Sequence, residues 1–150
     1  MRESGASEPE STVHHLEVTR TARYHVLGDA HGDWGTVWYA LHGYAQLAGD
    51  FLRACRPLGA GGALVVAPEG LSRFYPEGGS GAVAASWMTS EDREAEIADT
   101  VGYLRTLDAS LRPAGREACA LGFSQGAAAA SRLVVLGGLR PRRLVLWGVF

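Results

Sequence analysis

With 150 residues and 15.9 kDa, the chain can bury one sizeable core but not two, so a single domain behind a short tail is expected. A formal net charge of −2 provides no electrostatic footprint for nucleic acid or an acidic membrane surface. All fourteen basic residues are arginine, a compositional bias that carries no functional weight.

Residues 1–13 are polar and acidic and lack the apolar stretch of a signal peptide, so they read as a disordered tail ahead of a domain over 14–150. No apolar run reaches the roughly 20 residues that span a bilayer, and a cytoplasmic location is the expectation. Cys55 and Cys119 sit among apolar neighbours and read as buried thiols rather than a disulfide.

In chain order, Leu16 to Leu27 reads as a hairpin turning at Arg20–Ala22, and Thr36 to Leu41 as a buried strand ended by His42-Gly43. Gln46 to Leu58 places Leu47, Phe51, Leu52 and Cys55 on one helical face, and Ala63 to Ala67 is a second buried strand stopped by Pro68. The Gly-rich stretch Ser72 to Ser86 reads as an irregular connection, with no Gly-Lys-Ser/Thr ending to suggest phosphate binding. A helix capped by Ser90 then carries Ile97, Val101 and Leu104 on one face as far as Arg112-Pro113. A strand Ala118–Leu121, a helix from Gln125 to about Leu136 and a strand Leu144–Val149 complete the order. Alternating strands and helices predict an α/β domain with a mostly parallel sheet covered on both faces.

Chemistry enters at Gly122-Phe123-Ser124-Gln125-Gly126. The pattern Gly-x-Ser-x-Gly is weak alone, but here a strand precedes it and an Ala-rich helix follows. That is the context in which a serine hydroxyl projects from a tight strand-to-helix turn, with small residues two before and two after because the backbone closes around it. Ser124 is therefore the candidate nucleophile. An oxyanion hole needs two backbone N–H groups, and Gln125 and Tyr44 are the candidates, the latter from Leu41-His42-Gly43-Tyr44 after an earlier strand. His42 in that loop more often orders backbone than transfers protons. Trp87 and Met88 either border an acyl pocket or simply pack.

The chain resembles the phospholipase/carboxylesterase family of α/β-hydrolases, bacterial predicted esterases in particular. The resemblance rests on four blocks in family order: Leu41 to Tyr44, Ala67 to Tyr75, Ser86 to Arg93 and Gly122 to Gly126. It implies a three-layer α/β-hydrolase sandwich and a Ser-Asp-His enzyme acting on carboxylic esters or thioesters with no metal or organic cofactor. In that fold the acid and the histidine follow the serine, whereas no Asp, Glu or His follows Ser124 here; the five histidines are His14, His15, His25, His31 and His42. The expectation is a carboxyl-truncated fragment, lacking the last strands and inactive by itself, with a small-molecule acyl ester or thioester as the parent's substrate. A non-catalytic module that binds a small apolar ligand or a protein partner is the alternative.

Overall fold

The computed structural model describes residues 7–148. Five strands form the main sheet: β1 (Tyr24–Leu27), β2 (Thr36–Leu41), β3 (Leu64–Pro68), β6 (Glu117–Phe123) and β7 (Arg143–Trp147), in the spatial order β1-β3-β2-β6-β7. β1 is antiparallel to β3, and the other neighbours are parallel. Three helices cover the sheet: α1 (Ala48–Ala54), α2 (Arg93–Leu111) and α3 (Gln125–Val135).

The strands read as continuous apolar runs because both faces are covered, yet the alternation of strand side chains sorts them into two cores. Val37, Tyr39 and Leu41 pack with Leu64, Val66 and Ala120 beneath Leu104 and Leu107 of α2 and Ala129, Ala130 and Leu133 of α3. Ala40 and Val65 face the other way, onto Phe51 of α1 and Cys55 just after it, with Trp38, Leu121 and Phe123 partly buried beside them. The result is a three-layer sandwich with α1 on one side and α2 and α3 on the other. The Tyr39 hydroxyl donates to Asp108 at 2.6 Å, and Arg112 grips the same carboxylate, which pins α2 to the central strand.

Several sequence expectations change. The hairpin over Leu16–Leu27 does not form; only β1 is a strand, and its partner is the distant β3. Leu16 and Val18 remain exposed, so the first half of that segment has no apolar face to bury. The first helix ends at Ala54 and tightens into a 3-10 turn, Arg56–Gly59, because Pro57 has no N–H to continue the α pattern. Asp92, not Ser90, precedes α2; it lies in the left-handed region at φ 48°, and Glu94 and Glu96 occupy the helix's first turn.

Ser72–Ser86 is not wholly irregular, since β4 (Ser72–Phe74) and β5 (Ala84–Ser86) form an antiparallel ribbon around its glycines. Strands of three residues, one of them Ala-Ala-Ser, carry almost no sequence signal. The last strand ends at Trp147, and Val149 lies outside the described residues. The tail expected over 1–13 is exposed and without regular structure at residues 7–13, and residues 1–6 also lie outside the described ones. Both cysteines are buried and free. β7 is a sheet edge among the described residues, with all five of its residues exposed.

Candidate active site

The register of the two central strands assembles the site. β2 and β6 are parallel and paired so that Leu41 lies beside Gly122, which brings the loop after β2 and the turn after β6 to the same end of the sheet. At that turn Ser124 is exposed and adopts φ 53°, ψ −117°, a conformation that L-residues rarely enter. Its N–H donates to the Trp147 carbonyl at 2.8 Å, and its carbonyl accepts from the Ala127 N–H at 2.9 Å. Among the described residues its hydroxyl makes no hydrogen bond to another side chain.

Two glycines make this turn possible. A Cβ on Gly122 would lie 2.3 Å from the Gly126 carbonyl oxygen, and one on Gly126 would lie 2.1 Å from the Leu41 oxygen and 2.4 Å from that of His42. The first turn of α3 is thereby pressed against the end of β2. Gly43 is similarly confined, its missing Cβ lying 2.8 Å from the Phe123 ring.

The loop after β2 is fixed by His42, which is fully buried. The Gly70 N–H donates to Nε2 at 2.9 Å, so the imidazole proton sits on Nδ1, which donates to the Gly43 carbonyl at 2.8 Å. Burial lowers the His42 pKa below its ordinary value, against the opposing effects of the Gly43 hydrogen bond and the Glu69 charge. Both ring nitrogens are occupied, and the group is a neutral structural imidazole. An imidazole kept neutral in the fold can bind a proton more readily when unfolded. Its contribution is therefore complete above the unfolded value of 6.5 and is lost as pH falls through the lower folded value. Urea midpoints measured from about pH 8 to about pH 5 should descend, and the slope should be shallower in His42→Asn. Identical slopes in both chains would contradict this.

Because Gly43 carbonyl oxygen and Tyr44 N–H belong to one trans peptide, holding the oxygen on His42 turns the N–H the opposite way. That N–H has no partner among the described residues, while the neighbouring Gly43 N–H is engaged by Gln46 Oε1 at 2.6 Å. The Tyr44 side chain is exposed and stacks on Phe74. Gln125, the first residue of α3, has no intrahelical acceptor for its N–H. Among the described residues neither of the two N–H groups chosen from the sequence has a hydrogen-bond partner.

Trp87 lies inward. It is 2 % exposed, its ring stacks on His42 at 4.9 Å, and its indole N–H donates to the His42 carbonyl at 2.8 Å. Met88 is partly buried, its sulfur accepting from Arg132 and its carbonyl from Gln125. A cavity of about 850 Å³ runs between residues 15–24 and α2 and has Trp87, but neither Ser124 nor Met88, in its lining.

One residue of the site was not anticipated. Glu69 follows β3 with its side chain only 1 % exposed, accepting from Arg23, Arg73 and the Ala48 N–H at the start of α1. Burial pushes its pKa up, but the Arg23 and Ala48 hydrogen bonds outweigh that and leave it lowered. A charged residue directly after five buried apolar ones was the available signal. Among the described residues no three His, Cys, Asp or Glu side chains are grouped to hold a metal ion, and no helix is long and apolar enough to cross a membrane.

No family model matches the chain, and no curated protein does. Solved structures do. Acyl-protein thioesterase 2 of Zea mays is 24% identical over 75% of this chain and 51% of its own, with a TM-score of 0.56. A phospholipase/carboxylesterase of Dyadobacter fermentans is 15% identical over 89% of this chain and 66% of its own, with a TM-score of 0.58. Esterase PE8 is 22% identical over 76% of this chain and 57% of its own, with a TM-score of 0.53. The chain thus spans between half and two thirds of these relatives. Their likeness, together with the layers and the strand order, shows that the chain carries part of an α/β-hydrolase fold.

Proposed function

We propose that this chain supplies the nucleophile and the oxyanion-binding loops of a serine hydrolase acting on carboxylic esters or thioesters. The observation that carries the reading is the strained, exposed Ser124 at the same end of the sheet as two backbone N–H groups that have no partner among the described residues. Ser124 Oγ attacks the acyl carbonyl carbon, its proton passes to a base, the carbonyl oxygen takes up negative charge between the Tyr44 and Gln125 N–H groups, and the leaving group departs with its bonding electrons. Each such donor is worth about 3 kcal/mol of barrier, and the start of α3 adds its positive dipole end. Gly122, Gly126, Gly43 and His42 hold these groups in place, and Trp87 and Met88 underlie the acyl side.

The base is the missing part. No Asp, Glu or His follows Ser124, and His42 has no free ring nitrogen. The engagement of both His42 ring nitrogens is the observation behind a second reading, a non-catalytic hydrolase-like module that binds a small apolar ligand or a partner protein. Added imidazole distinguishes them by supplying the proton acceptor. With p-nitrophenyl acetate and imidazole, the chain should become acetylated at Ser124 faster than imidazole alone can transfer the group, and Ser124→Ala should abolish the excess. Equal acetylation of both chains would remove the enzyme reading and leave the binding module.

A further inference from the structure

The nucleophile turn and the oxyanion loop belong to different strands, and an oxyanion hole works only if its two donors keep a fixed separation. Strand pairing sets that separation at Leu41 and Gly122, but both N–H groups lie beyond the paired residues, one in the loop after β2 and the other at the first residue of α3. A second link joins them. The Gln125 side chain accepts the Trp87 N–H at 2.9 Å through Oε1 and donates to the Met88 carbonyl at 2.8 Å through Nε2. Trp87 then reaches the other loop, by its indole N–H to the His42 carbonyl at 2.8 Å and by its ring against the imidazole. His42 completes the connection by holding the Gly43 carbonyl, which sets the direction of the Tyr44 N–H.

We propose that Trp87 is a positioning residue that locks the oxyanion loop to the nucleophile turn, running from Gln125 through its own backbone and indole to His42 and on to Tyr44. It touches no reacting atom. Its indole N–H and its ring engage two different groups of one residue, the carbonyl and the imidazole of His42, so this loop residue is held twice. The inference rests on Ser124 and the two N–H groups being the reacting site.

Trp87→Phe tests it, because phenylalanine keeps a ring against His42 while removing the indole donor. In imidazole-assisted acetylation of the full chain, the limiting rate should fall about tenfold while the half-saturating ester concentration stays within about twofold. The Tyr44 amide resonance should shift in the ¹H–¹⁵N spectrum, an observation that does not depend on turnover. An unchanged limiting rate, an unmoved Tyr44 amide, or a loss confined to the half-saturating concentration would overturn the proposal and leave Ser124 as nucleophile. If the unsubstituted chain and Ser124→Ala are acetylated alike, the site reading fails and this inference fails with it.

Discussion

Gly126→Ala should cost this chain about 3 kcal/mol or more, a large share of the stability of a domain of this size. The added methyl would sit 2.1 Å from the Leu41 carbonyl oxygen and 2.4 Å from that of His42. Neither neighbour can yield cheaply, since both are backbone: Leu41 is hydrogen-bonded within the central sheet, and His42 is fastened through its ring and carbonyl. The strain must therefore be relieved by lifting the first turn of α3, which also moves the Gln125 N–H. The expected result is a lower urea midpoint with an unchanged slope, alongside lost imidazole-assisted acetylation at Ser124. Gly35→Ala is the matching control, because nothing lies within 4 Å of its Cβ and its φ is not positive. Equal midpoints for the two variants would refute the packing argument.

Glu69→Gln should be the more damaging of the conservative polar changes, at about 2 kcal/mol near neutral pH. Both carboxylate oxygens only accept: Oε1 from Arg23 Nε and Arg73, Oε2 from Arg23 Nη2 and the Ala48 N–H. An amide must turn its NH₂ toward one pair of donors, whichever way it is placed. The arginines are about half exposed, so the ion pairs themselves are screened, and the loss comes chiefly from the buried donor clash. The folded carboxyl titrates below its ordinary 4.5, so its stabilisation is complete above that value and is lost as pH falls through the lower folded pKa. The gap between the two chains should accordingly narrow in acid. A gap of the same size at about pH 3 and about pH 7, or none at pH 7, would contradict the account.

The layered α/β architecture was legible because its strands and helices differ in length and periodicity, and the Ser124 turn because a glycine on either side has a geometric cause. Position 87 was harder. Its tryptophan had both a pocket and a packing reading from sequence, and only the coordinates show the ring facing His42 with its N–H committed. Glu69 was missed for a related reason: its donors come from residues 23, 48 and 73, and no local pattern links them. The hairpin over Leu16–Leu27 failed because alternation alone does not say whether a partner is adjacent or forty residues away. Tyr44 was chosen through its place after a strand, but the direction of its N–H follows from a histidine tautomer, which sequence cannot display.

The backbone at Ser124 has a further consequence. The region around φ 53°, ψ −117° is one that glycine enters freely and a serine enters at a cost of about 1–3 kcal/mol. The residue that suits the turn best thus has no side chain, while the one the proposed chemistry requires must carry an oxygen there. If Ser124 is the nucleophile proposed above, thermal robustness and reactivity pull in opposite directions at a single β-carbon.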